Sequence, residues 1–136
     1  MHSNRKRPLV GVIDIGSNSV RLVVYDGLKR VPLALFNEKH HCGLGSGIQK
    51  TGRLSEESKA SARKTLKRFS VLAQQMELEH VCAVATAAMR DAEDGAQFAE
   101  ELTTLSGIPI RIIAGEEEAS LAAQGILASI YKPEGL

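Results

Sequence analysis

Six consecutive residues, Asp14-Ile15-Gly16-Ser17-Asn18-Ser19, put a carboxylate, a glycine, two hydroxyls and an amide into one short stretch. That mixture suits a phosphate. Glycine lets the backbone come close to an anion, successive N–H groups form a concave donor surface, and serine hydroxyls add further donors. The same residue types are what a tight hairpin turn selects, so on spacing alone both readings stand. A second candidate is Thr86-Ala87-Ala88-Met89-Arg90-Asp91, which follows an apolar run and so falls where open α/β sheets place their ligand loops. There Arg90 could fork onto a phosphate, or pair at the surface with Asp91 or Glu93. The third is Gly115-Glu116-Glu117-Glu118-Ala119, whose carboxylates crowd a helix N-terminus, where the dipole stabilises each by about 0.3–1 kcal/mol. Successive helical residues diverge by about 100°, so the three glutamates cannot all face one cleft. A general base needs only one of them, held within reach of a water.

Other candidates carry less. Lys59, Arg63 and Lys67 share one face of an expected helix with Lys64 and Arg68 alongside, which is either a lane for a long polyanion or a solvated surface. His40 and His41 are neighbours in an expected strand and point to opposite faces, so they cannot chelate one metal and take no role. There is no Walker lysine motif, no G-x-G-x-x-G and no G-x-S-x-G, which argues against P-loop, dinucleotide-binding and serine-hydrolase readings.

The elements that must position these residues follow from the pattern. Leu9–Asp14 is short, apolar and β-branched, as in a strand buried on both faces. Val20–Tyr25 resumes as a second strand, making a hairpin around the Gly16–Ser19 turn, and Leu33–Cys42 makes a third. The stretch Gly43-Leu44-Gly45-Ser46-Gly47 reads as the most flexible piece of the chain, a cover for a ligand or a plain linker. A helix capped by Ser55 runs to about Glu79, with Ala62, Leu66, Phe69, Ala73 and Met76 on its inner stripe. Val81–Ala85 is a buried strand, and Glu93–Ser106 a helix with Phe98, Leu102 and Leu105 inward. Gly107 ends that helix before a strand over Ile108–Ile113. A last helix starts at Gly115, runs through Ala119, Ala122, Ala123, Ile126 and Ile130, and stops by Pro133. The order β-β-β-α-β-α-β-α implies an α/β layered domain with a mixed five-stranded sheet and right-handed crossovers.

Composition bounds the function. The 136 residues are 43% hydrophobic, 24% charged and 4% aromatic, an ordinary globular composition sized for about one domain. A formal charge of +1 lacks the basic excess of a dedicated nucleic-acid binder, so no DNA partner is expected. No apolar run approaches the roughly 20 residues needed to cross a bilayer, and Met1–Pro8 is polar and basic, so a cytoplasmic protein without a membrane partner is expected. Cys42 and Cys82 stand far apart without a C-x-x-C partner and read as reduced structural thiols. Residues 1–8 read as a flexible basic tail, 9–132 as the domain and 133–136 as the start of a linker.

Taken together, Asp14–Leu22, Thr86–Ala92 and Gly115–Ala119 resemble the exopolyphosphatase / guanosine pentaphosphate phosphatase family, in order and at its motif positions. Gly43–Glu57, with Thr51-Gly52-Arg53-Leu54-Ser55, is similar to the family's segment before its first helix. The resemblance implies the ribonuclease-H-like fold of the actin-like ATPase superfamily, in which two similar domains close on phosphates. It implies that Asp14, Gly16, Ser17, Asn18, Ser19 and Arg90 hold substrate phosphate, and that Glu118, next to Ala119, is the catalytic base rather than Glu117. The implied reaction is in-line attack of water on a terminal phosphoanhydride of inorganic polyphosphate, or alternatively of guanosine pentaphosphate, aided by a divalent cation such as Mg2+. Two departures stand out. Ala114 occupies a position where the family usually has Ser. The family's second phosphate loop, of the Asp-Ile-Gly-Gly-Gly-Ser type, is absent, which implies an N-terminal domain that turns over poorly or not at all alone and has no dependable metal site. A different class of function, a non-catalytic phosphate- or nucleotide-binding module that dimerises through a sheet edge, is also consistent with the chain.

Overall fold

The computed structural model describes residues 8–27 and 33–113; the tail over residues 1–7 and the expected last helix, with Glu116, Glu117 and Glu118, lie outside the described residues. Five strands form one sheet: β1 (Leu9–Ile15), β2 (Ser19–Asp26), β3 (Ala34–His41), β4 (His80–Ala85) and β5 (Ile110–Ile112). Their order across the sheet is β3-β2-β1-β4-β5. The two hairpin pairings are antiparallel and the β1–β4 and β4–β5 pairings parallel, as the pattern of local turns followed by helical crossovers requires.

Burial follows strand position. β1 lies inside the sheet and buries Val10 through Ile13 in succession. β2 alternates, with Val20, Leu22 and Val24 fully inward. β3 closes the sheet on one side and is mostly exposed. β5 is shorter than the run Ile108–Ile113 suggests, because Pro109 has no N–H to give the ladder and Ile108 donates its own to the Ser106 hydroxyl at 3.1 Å.

Four helices are described: α1 (Ile48–Thr51), α2 (Glu56–Gln75), α3 (Ala87–Asp91) and α4 (Gly95–Ser106). Ser55 caps α2 by accepting the Ser58 N–H at 3.0 Å, and Glu56 and Glu57 occupy the first turn. Ala62, Leu66 and Phe69 are buried from the expected stripe, whereas Ala73 and Met76 are half-buried. The helix stops before Glu79 because Glu77 takes a left-handed conformation (φ 56°) and Leu78 donates back to the Ala73 carbonyl at 3.0 Å, closing the end. In α4, Phe98 and Leu102 are buried and Leu105 half-buried. Helices α1 and α3 have no counterpart in the sequence reading, being too short to repeat an apolar period. Cys42 and Cys82 are free thiols.

Three of the five cations on the basic face of α2 are paired, while Lys64 and Lys67 are exposed. Lys59 sits 2.7 Å from the buried Asp94 carboxylate, Arg63 pairs with Glu101, and Arg68 forks onto Glu38 of β3. Asp94 also accepts the Leu54 N–H at 3.0 Å, which ties the segment before α2 to the start of α4. Burial pushes the Asp94 carboxyl up, yet the Lys59 ammonium and the backbone N–H groups of Leu54 and Asp94 outweigh it and leave it below its ordinary value. Lys59 Nζ and the Arg63 guanidinium also lie 5.8 and 5.5 Å from the centre of the Phe98 ring.

Arg68 and His40 hold the Glu38 carboxyl down from 4.5 to about 2. A carboxylate depressed in the folded state stabilises it above its unfolded pKa and loses that contribution as pH falls through the folded value. Glu38→Gln is therefore expected to unfold more easily than the parent at pH 7, with the gap closing as pH falls from about 4.5 to about 2. Chemical denaturation across that range checks this; a gap independent of pH would show that the pair contributes nothing through ionisation.

Candidate functional site

Strand β1 ends at Ile15 beside Ala85, the last residue of β4, and the two strands run parallel. The loops that leave them, Gly16–Asn18 and Thr86, therefore emerge together at the carboxyl edge of the sheet, where open α/β sheets bind ligands. Their junction is direct: the Thr86 N–H donates to the Ile15 carbonyl at 3.1 Å. Two of the three stretches singled out for chemistry are thus brought side by side. The third, with Glu118, lies outside the described residues.

In the first loop, Gly16 N–H donates to the Ser19 carbonyl at 2.9 Å and closes a tight hairpin. The Ser17 and Asn18 carbonyls accept the N–H groups of Gly45 and Gly43, both at 2.9 Å. Among the described residues, the amide N–H groups of Ser17 and Asn18 and the hydroxyls of Ser17 and Ser19 take part in no hydrogen bond within the protein. At Ser17 and Asn18 the carbonyls are engaged while the amides are spare. A turn serving only to reverse the chain needs no such bias, whereas a concave anion site requires it. Asn18 is exposed and Gly16, Ser17 and Ser19 are half-buried, so the loop is within reach of solvent while two of its carbonyls tie it to the glycine-rich turn. Asp14 is exposed on β1, opposite Arg21 of β2.

Arg90 sits on α3, whose first turn is set by the Arg90 N–H donating to the Thr86 carbonyl at 3.0 Å. Its side chain is exposed and its Nε lies 3.2 Å from the Asp91 carboxylate. Of the two options open in the sequence, this is the pairing with Asp91; such an exposed pair is worth about 0–1 kcal/mol, little obstacle to a swing onto a multiply charged ligand.

The glycine-rich stretch expected to be flexible proves to be structure. Leu44–Gly47 forms a turn of 3-10 helix with Leu44 fully buried. Besides gripping the Ser17 and Asn18 carbonyls, the stretch packs on α3 and on α2, where the Ser58 hydroxyl donates to the Gly43 carbonyl at 2.8 Å. Sequence reading misses this because glycine content signals backbone freedom, while the single apolar residue that anchors the turn, Leu44, has no periodic partner.

A mixed sheet of this order, with a hairpin loop and a parallel-strand loop meeting at one edge and helices in the crossovers, is the ribonuclease-H-like fold. The ethanolamine utilization protein EutJ from Carboxydothermus hydrogenoformans shares that fold at 16% identity (TM-score 0.54; 90% of this chain and 42% of that one). The Ppx/GppA phosphatase family matches residues 23–136, and the chain belongs to it. The Ppx/GppA phosphatase of Aquifex aeolicus is similar at 31% identity over 82% of this chain and 37% of that one, with a TM-score of 0.76. An exopolyphosphatase from Cytophaga hutchinsonii is similar at 35% identity over 83% of this chain and 36% of that one, with a TM-score of 0.75. The chain thus spans little more than a third of the length of these relatives. No described helix is long and apolar enough to cross a membrane.

Helix α3 owes its place to close packing against α4. A Cβ on Gly95 would lie 1.7 Å from the Met89 carbonyl oxygen, so α4 touches the backbone beside Arg90. Gly95→Ala is expected to cost about 2 kcal/mol or more, since backbone rather than a flexible side chain must yield. Thermal unfolding of that variant checks this; an unchanged midpoint would mean that α3 is not held as described.

Proposed function

We propose that this chain is the phosphate-binding portion of an exopolyphosphatase, which hydrolyses terminal phosphoanhydride bonds of inorganic polyphosphate by in-line attack of water. The observation that carries the proposal is the bias of the Gly16–Ser19 loop, spare donors over spent acceptors, beside the loop that bears Arg90. Family membership supports phosphatase chemistry, and the likeness to the Cytophaga exopolyphosphatase supports polyphosphate.

In this reading the Ser17 and Asn18 N–H groups and the Ser17 and Ser19 hydroxyls receive the terminal phosphate oxygens. Arg90 leaves Asp91 and forks onto the same group. Their task is to fix the phosphorus in line with a water and to neutralise equatorial charge, which is most of what phosphoryl transfer asks of a protein. Glu118, which follows β5 in the chain, orients or deprotonates that water. Among the described residues no three metal-ligating side chains cluster. Mg2+ needs only one or two carboxylates besides phosphate oxygens and waters, and Asp14, a hard oxygen donor next to the loop, fits that requirement. The cation, when bound, supplies charge neutralisation on the phosphate oxygens.

Phosphate release from long-chain polyphosphate with Mg2+ tests the reading, measured on this chain and on one extended to the length of its relatives. The extended chain is expected to turn over and the 136-residue chain to do so poorly. In the extended chain, Glu118→Gln is expected to lower kcat by about a hundredfold or more while leaving binding nearly unchanged. Equal loss of binding would remove Glu118 from the role of base. Cleavage of guanosine pentaphosphate without polyphosphate hydrolysis would make the nucleotide the substrate.

A second reading, self-association, rests on β3, which is the outermost strand among the described residues, with Leu35 in it and Leu33 just before it about half-exposed at 50% and 52%. Among the described residues no strand pairs with its outer edge, and such an edge can pair with a second copy. Light scattering is then expected to show mass rising with concentration, and a monomer throughout would dismiss it.

A further inference from the structure

We propose that Gly45 is a positioning residue for anion binding, acting through Ser17 by a close approach that only glycine permits. The inference rests on the reading that the Gly16–Ser19 loop receives phosphate. Gly45 does two things to Ser17 at once. Its N–H donates to the Ser17 carbonyl at 2.9 Å, and a Cβ built on it would stand 3.0 Å from the Ser17 Cβ. At 3.0 Å one of the two backbones must give by a few tenths of an ångström.

Which backbone gives decides the consequence. Gly45 cannot easily retreat: Leu44 beside it is fully buried, the Ser46 N–H and hydroxyl both bond the Gly43 carbonyl at 3.1 and 2.9 Å, and the turn packs on α2 and α3. Ser17 sits in a half-exposed loop, so it is the side that moves. Displacing it swings the carbonyl off the Gly45 N–H and turns the peptide that carries the Asn18 N–H. A peptide plane is rigid, so a carbonyl pinned on one side fixes the donor on the other. The Gly45 contact is thus what aims a donor outward.

Gly47 lies in the same turn, yet a Cβ built on it would meet Arg53 and Ser55 at an ordinary 3.4 Å, away from the loop. It supplies the control.

Isothermal titration of the 136-residue chain with tripolyphosphate and Mg2+, with amide chemical shifts followed at Gly16–Ser19, tests the proposal. Gly45→Ala is expected to weaken binding by about tenfold or more, as misplacement by a fraction of an ångström does at preorganised sites, and Gly47→Ala to leave it unchanged. The discriminating step is a double-mutant cycle. Ser17→Gly removes the Cβ that the methyl group introduced by Gly45→Ala would meet, so in that background Gly45→Ala is expected to lose most of its effect on affinity. A variant that merely destabilised the fold would lower the melting temperature in both backgrounds without that interaction. If Gly45→Ala alone does not fold, recovery of folding in the Ser17→Gly, Gly45→Ala double variant still reads the clash, and failure of the double variant to recover overturns it. Parent-like affinity in Gly45→Ala, or an undiminished loss in the Ser17→Gly background, overturns the positioning role while leaving the phosphate site standing. Absence of binding and of loop shifts in the parent chain would instead overturn the phosphate reading, and this inference with it.

Discussion

Everything at the candidate site depends on β1 being hydrogen-bonded along both edges, antiparallel to β2 on one side and parallel to β4 on the other. The antiparallel side demands a tight turn immediately after Ile15. The parallel side demands that β4 end level with it, which is why Ile15 lies beside Ala85 and Thr86 bonds the Ile15 carbonyl. One strand with two unlike neighbours therefore gathers loops from residues about 70 positions apart. The cost is that β1 must be apolar on both faces, and its buried run from Val10 to Ile13 meets it.

Hydrogen-bond accounting then separates a ligand loop from a mere turn. Backbone donors and acceptors come in equal numbers, so a loop with carbonyls engaged and amides spare must have its acceptors met from elsewhere. Here they are met by Gly43 and Gly45, and those residues are held in turn by the Ser58 hydroxyl and by Leu44 in the core. The buried Asp94 continues the same chain of support. It bonds Leu54 and pairs with Lys59, fixing the entry to α2 against the start of α4, where Gly95 meets the backbone next to Arg90. Both candidate loops are thus referred to one packed block of helices, which makes their relative position a property of the core rather than of the loops.

How much of this is legible in the residues varies with the range of the signal. The strands β1, β2 and β4 and the inner faces of α2 and α4 are periodic and local, and they fall where the pattern puts them. The ends depend on single contacts: α2 stops a turn early through left-handed Glu77, and β5 starts late after Pro109. The glycine-rich turn is misread from its composition, since its order comes from Leu44 and from partners some 25 residues back in sequence. The pairing of α2 cations with Asp94, Glu101 and Glu38 is equally invisible, because it joins elements 30 or more residues apart. Residue types at the site are legible as chemistry; the spare-donor bias is not, because it is set by what the carbonyls do.

That pairing of charges bears on how a polyanion would be recognised. A helix lined with free lysines attracts any phosphate chain from a distance, with a steep dependence on salt. In this chain Lys59, Arg63 and Arg68 are committed to carboxylates, and the formal charge is only +1. Long-range attraction from that helix is then left to Lys64 and Lys67, and in the proposed reading discrimination falls to the short-range donors of the Gly16–Ser19 loop. Such donors respond to the tetrahedral end of a phosphate more than to the total charge of the chain behind it, because hydrogen bonds decay within an ångström of ideal geometry while Coulomb attraction does not. Under the proposed exopolyphosphatase reading, donors of this kind suit a reaction confined to a terminal phosphoryl group, where the protein has to distinguish an end from the many equivalent units behind it.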